Sequence, residues 1–137
     1  MATMAPDAAF STPWGPGPQG WDEVRGHYAD VFAAGGIGNA SVETHRIVVD
    51  DDAIVNEYTW TLLLPSDLAK KNGFDVPDEG NYAVSQRVCT LLPFDPDGLL
   101  RGEISYSRVL DPTAWVRVED SQLSPGYLKW LEFVSGH

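Results

Sequence analysis

Two long runs rich in apolar and β-branched residues, Tyr82–Phe94 and Leu99–Leu110, are separated by Asp95-Pro96-Asp97-Gly98. Runs rich in Val, Leu, Ile, Thr and Tyr, joined by turn residues, predict a long hairpin. An even-numbered turn sets Thr90 opposite Glu103, Val88 opposite Ser105 and Gln86 opposite Ser107. Strand side chains alternate, so these six share one face, while Arg87, Cys89 and Leu91 share the other with Tyr106, Ile104 and Gly102. One face is a polar cluster around a single carboxylate. Whether it lines a cavity or meets water decides what the protein does. Val42–Val49 and Ala53–Leu64 predict a second hairpin turned at Asp50-Asp51-Asp52, with Glu57 on the face opposite to Asn56, Tyr58 and Trp60.

The helical period appears twice. Trp21, Val24, Tyr28, Val31 and Phe32 form one apolar stripe over Trp21–Ala34, with Asp22 and Glu23 in the first turn, where the helix dipole favours negative charge. Gly35-Gly36-Ile37-Gly38 ends this helix and is no phosphate loop, since it follows a helix and opens none. Pro125–Val134 predicts a terminal amphipathic helix burying Leu128, Trp130 or Leu131, and Phe133. Ala8–Thr12 fits a short strand. Pro13 to Gly20, with three prolines and three glycines, reads as irregular: a flexible linker or, better suited to a compact domain, an ordered loop pinned by Trp14. Pro65–Asn81 reads as a surface insertion with a helical turn at Ser66–Lys71, a candidate lid. Trp115–Val118 fits a short extended piece. This order predicts an α+β domain with a curved, mostly antiparallel sheet against helices. Such a sheet encloses a cone-shaped space suited to a small molecule.

Composition narrows the partners. The 137 residues fit one domain with a real core, and 43% hydrophobic with 21% charged residues is the balance of an ordinary globular protein. Nine Lys and Arg against twenty Asp and Glu leave a net charge of −11, which speaks against nucleic acid and against an anionic membrane surface. The lone cysteine, Cys89, excludes an internal disulfide and a multi-cysteine metal site, and reads as a small buried apolar side chain. No two of His27, His45 and His137 have metal-ligand spacing. The Asp50–Asp52 cluster lacks the spread of a calcium loop. No apolar run reaches the roughly 20 residues that span a bilayer, and the first residues lack a signal-peptide pattern. A cytoplasmic protein is the default expectation.

The segment Ala5 to Pro13, then Gly20-Trp21-Asp22-Glu23-Val24-Arg25 with Tyr28, then Asp52 to Thr59, and finally Phe94, Asp97-Gly98-Leu99-Leu100 and Glu103 stand in an order that resembles the nuclear transport factor 2-like superfamily. Within it the chain is most similar to the SnoaL-like polyketide cyclase and ketosteroid isomerase branch, over roughly Ala5 to Asp111. The resemblance implies a cone-shaped, cystatin-like fold, a homodimer through the sheet and cofactor-independent chemistry. It also implies a long first helix, for which this sequence is expected to hold no counterpart. The position of the isomerase branch's catalytic Asp holds Thr12, and that of its oxyanion-binding Asp holds Thr90. The position of the cyclase branch's strand His holds Glu103.

These substitutions leave Glu103 as the first candidate acid or base, beside Thr90, Ser105 and Ser107, and Glu57 as the second. Thr12, Trp14, Tyr28, Tyr58, Trp60, Gln86, Thr90 and Ser105 are the candidate substrate contacts. The reaction implied by the resemblance is proton transfer next to a carbonyl, in isomerisation, dehydration or aldol-type cyclisation. Its substrate is a small hydrophobic or polycyclic polyketide- or steroid-like carbonyl compound. No metal or cofactor is expected. A non-catalytic ligand-binding or dimeric assembly module of the same fold is the competing expectation.

Overall fold

The computed structural model describes residues 3–12, 15–33, 37–108, 111 and 113–136. Their order is β1 (Met4–Thr12), β2 (Gly15–Gln19), α1 (Gly20–Ala33), β3 (Ala40–Val49), β4 (Ala53–Pro65), α2 (Ser66–Lys71), β5 (Asn81–Pro93), β6 (Leu100–Ser107), β7 (Val116–Val118) and α3 (Pro125–Ser135). Among the described residues these strands form one sheet in the order β2-β1-β6-β5-β4-β3, with β7 pairing β5. Every neighbouring pair is antiparallel except β1 with β6, which is parallel. The α+β expectation holds, and the sheet is larger and more mixed than two hairpins.

The stretch expected to be irregular contains β2. Gly15 and Pro16 pair with Thr12 and Ser11. β2 lies at the sheet edge, where a proline's missing N–H leaves no ladder bond unmade. The insertion expected to be a lid is instead part of the core. Ala69 of α2 and Val76 are buried with Leu64, Tyr82, Tyr127 and Trp130, and the Ser66 hydroxyl donates to the Asp78 carbonyl at 2.7 Å.

The terminal helix is also turned from its expected phase. Tyr127 and Trp130 are buried, whereas Leu128 and Phe133 are 44% and 43% exposed. Leu131 and Val134 join the buried stripe as partly buried neighbours, completing an i, i+3, i+4, i+7 face. Ser124 starts the helix by accepting from the Tyr127 N–H at 3.1 Å, a cap worth about 1 kcal/mol. The Tyr127 hydroxyl donates to Asn81 Oδ1 at 2.7 Å.

Burial, and secondarily the charge of Asp67, push the Tyr127 phenol far above its ordinary value. A raised folded-state value keeps the native phenol protonated while the unfolded one ionises near pH 10. The native state then binds more protons, and stability falls as pH rises above that point. Urea midpoints measured from about pH 8 to 11 should fall steeply in the wild type and less steeply in Tyr127→Phe. Parallel curves would show that this phenol does not control alkaline unfolding.

The β5–β6 register fixes the polar face. Thr90 pairs with Ser105 and Val88 with Ser107, so Thr90 does not face Glu103 as the even-numbered turn predicted. Two single-residue shifts separate prediction and structure. The turn closes with Phe94 opposite Leu100, held by Asp95 Oδ1 accepting from the N–H groups of Asp97 and Leu99. Between that bridge and the Leu91–Ile104 pair, β6 uses one residue more than β5, a bulge in the segment containing Gly102 (φ +151°). Each shift alone would have moved every side chain of β6 to the other face. Together they restore the parity, and Glu103, Ser105 and Ser107 stay on the face of Gln86, Val88 and Thr90.

Candidate functional site

The inner face follows from register. Asn56, Tyr58 and Trp60 of β4 pair with Thr90, Val88 and Gln86, and Glu103 pairs with Phe10 of β1. Phe10 is buried and meets Tyr28 of α1 edge-on, with ring centroids 6.0 Å apart. His27 is the third ring, 5.6 Å from Tyr28. Helix α1 is thus laid against β1, with Val24 only 1% exposed, while Trp21 and Phe32 of its predicted stripe stay exposed.

A continuous hydrogen-bonded row crosses three strands on this face. Tyr58 Oη lies 3.0 Å from Thr90 Oγ1, Thr90 Oγ1 lies 3.0 Å from Ser105 Oγ, and Ser105 Oγ donates to Glu103 Oε1 at 3.3 Å. Thr90 is 3% exposed, and Tyr58, Ser105 and Glu103 are half-buried. The Tyr28 phenol is raised above its ordinary value by burial first and by the negative charge of Glu103 second. It therefore remains a hydrogen-bond donor at neutral pH, within the field of that carboxylate.

The other predicted site residues occupy different settings. Gln86 is buried, and its Nε2 donates to Ser107 Oγ at 2.9 Å and to the Arg108 carbonyl, which makes it a strut between strands. Trp60 is half-buried beside it. Thr12 donates to the Gly15 carbonyl at 3.0 Å and ties the β1–β2 turn. Trp14 lies outside the described residues. Glu57 is on the outer face opposite Cys89, 2.8 Å from Arg87 Nη2 and 3.9 Å from Arg46 Nε. The structure therefore brings Glu103, Tyr28, Tyr58, Thr90 and Ser105 together and places Glu57 on the other side of the sheet. His45 also stands apart, 2.7 Å from Thr59 Oγ1.

One residue was missed. Asn56 Oδ1 is buried without a hydrogen-bond partner among the described residues, next to the row. The signal was present as a polar residue alternating with Tyr58 and Trp60, but its lack of a partner depends on strands distant in sequence. Among the described residues no three His, Cys, Asp or Glu side chains cluster to hold a metal ion, and no helix is long and apolar enough to cross a membrane.

Residues 1–102 match the family model described as SnoaL-like domain. The chain belongs to the SnoaL-like domain family, within the nuclear transport factor 2-like superfamily. A solved structure of a protein proposed to be a SnoaL-like polyketide cyclase, from Jannaschia sp. CCS1, is 17% identical, with a TM-score of 0.51 over 77% of this chain and 67% of that one. An NTF2-like protein of unknown function from Cytophaga hutchinsonii is 12% identical, with a TM-score of 0.55 over 77% and 79% of the two chains. A hypothetical protein with a ketosteroid isomerase-like fold from Catenulispora acidiphila, in complex with trimethylamine, is 15% identical, with a TM-score of 0.51 over 76% and 68%. At such identities the likeness establishes the fold. Comparison with curated protein sequences gives no match.

Proposed function

We propose that this SnoaL-like domain is a cofactor-independent acid/base enzyme that moves a proton next to a carbonyl of a polyketide- or steroid-like ring compound. Isomerisation, dehydration and aldol-type cyclisation all begin with that step. The observation that carries the reading is the placement of Glu103 at the end of the hydroxyl row, where its charge adds to the larger effect of burial in raising the Tyr28 phenol. A carboxylate takes the proton from carbon, and a neutral phenol donates to the oxygen on which charge develops. The neighbours described as a polyketide cyclase and as ketosteroid isomerase-like in fold support this class of substrate. Glu57 takes no part, because two guanidiniums hold it on the outer face.

Proton exchange tests the reading without knowledge of the natural substrate. A panel of cyclic β,γ-unsaturated ketones and aromatic poly-β-ketones in D2O, followed by NMR, should show protein-dependent exchange at carbons next to the carbonyl. No exchange across the panel, together with binding of the same compounds, would leave a ligand-binding module instead.

The outer face serves in this reading as a homodimer interface. Val48, Val55, Leu91 and Ile104 form an apolar row across β3, β4, β5 and β6, and Val48 and Tyr106 are 51% and 61% exposed. The adjacent Arg46–Glu57–Arg87 cluster adds both signs of charge to the same surface. Light scattering should give twice the chain mass for the wild type and a monomer for Tyr106→Glu. A wild-type monomer at micromolar concentration would remove the interface.

A further inference from the structure

The hydroxyl row has a direction. Ser105 carries one proton, and it is given to Glu103. The 3.0 Å bond between Ser105 and Thr90 must then use the Thr90 proton, and the 3.0 Å bond between Thr90 and Tyr58 must use the Tyr58 proton. With Glu103 as the carboxylate, the Tyr58 oxygen is left as an acceptor. Beside it, on the same face, Asn56 Oδ1 is buried with no donor among the described residues. Two acceptors without a donor stand at the β4 end of the row, two strand spacings or about 10 Å from Glu103.

We infer that Asn56 Oδ1 and Tyr58 Oη form a binding site for a hydroxyl of the ligand, an enol or phenol on a fused ring system, and that the row is a proton wire joining that hydroxyl to Glu103. This inference rests on the acid/base reading of the same site. The ligand's O–H bond breaks as its proton passes to Tyr58. Tyr58's own proton passes to Thr90, Thr90's to Ser105 and Ser105's to Glu103, while the electron pair stays on the ligand as an enolate. Glu103, now protonated, adds that proton to a ligand carbon. A C–H bond forms, the enolate oxygen becomes a carbonyl, and the three hydroxyls turn back for the next cycle. Oxygen and carbon of one substrate thus exchange a proton without solvent between them. The span of the wire suits two or three fused rings. Tyr58 touches the ligand, and Thr90 and Ser105 relay the proton and set the polarity of the wire.

Binding of 2-naphthol and of 2-methoxynaphthalene, read by naphthalene fluorescence, tests the assignment independently of turnover. The wild type should prefer the hydroxyl compound by at least about tenfold, since its methyl ether has no proton to give to either acceptor. Asn56→Leu should bring the ratio towards one. Thr90→Val keeps the shape of the side chain but frees the Tyr58 proton to point into the site, so the ratio should fall because the ether gains, which a loosened site would not produce. Equal wild-type binding of the two probes, no binding of either, or loss of both in equal proportion in Thr90→Val would overturn the inference. The two readings also fail separately. A tenfold preference with carbonyl exchange surviving in Glu103→Gln keeps the hydroxyl site and removes Glu103 as the base. A ratio of one with exchange lost in Glu103→Gln removes the hydroxyl site alone.

Discussion

Glu103→Gln is expected to lower proton exchange next to the carbonyl by about 10²- to 10⁴-fold, the usual contribution of a positioned general base, while leaving the thermal midpoint nearly unchanged. The amide has the shape of the carboxylate, and its carbonyl oxygen accepts from the Ser105 hydroxyl as Oε1 does at 3.3 Å. What it lacks is the ability to take a proton. A second effect locates the change. Burial is the main cause that raises the Tyr28 phenol, and the Glu103 charge is the second. Removing the charge should bring Tyr28 down part of the way and leave it above its ordinary value, as ultraviolet difference titration against a Tyr28→Phe control would report. Exchange retained above about one tenth of wild type, with Tyr28 shifted, would show that Glu103 sits in the site without serving as its base.

Most of the elements were legible in the chain because they rest on local signals. The long strands carry β-branched and aromatic residues, α1 opens with Asp22 and Glu23, and the turn at Asp95 to Gly98 is made of turn formers. What escaped was non-local. No short-range pattern says that β1 runs parallel to β6, or that a segment with Pro16 and Pro18 pairs at an edge. The composition of the polar face was readable from alternation alone, yet its pairing was wrong by two residues. It kept its parity only because a shift at the turn and a bulge near Gly102 compensate each other. Glu57 was legible as belonging to the opposite face from Tyr58. Its neutralisation by Arg87, thirty positions later in the chain, was not. The lone acceptor of Asn56 belongs to the same class, since a missing partner is a property of three strands together.

The bulge itself carries the largest stability prediction. Gly102→Ala is expected to unfold the protein or leave it without fixed tertiary packing. A Cβ at this position would overlap the Ala9 carbonyl oxygen and lie 2.9 Å from its carbon and 3.1 Å from its nitrogen. All three are backbone atoms of a paired strand, so no rotamer change relieves the clash. The φ of +151° is itself one that side-chain-bearing residues rarely adopt. Relief requires β1 to leave β6. That exposes Ala5, Ala8 and Phe10, now 2%, 0% and 7% accessible, and it frees α1, whose Val24 is buried beside them. A loss of about 4 kcal/mol or more is a large part of the 5–15 kcal/mol that holds an ordinary domain together. Near-UV circular dichroism and urea titration would measure it. Gly26→Ala is the matched control, because a Cβ there meets nothing within 4 Å in the middle of α1 and should stabilise by about 0.5–1 kcal/mol. Normal stability in Gly102→Ala would mean that β1 does not approach β6 so closely. The placement of Glu103, paired with Phe10 next to the bulge, would then lose its structural basis along with the base it provides.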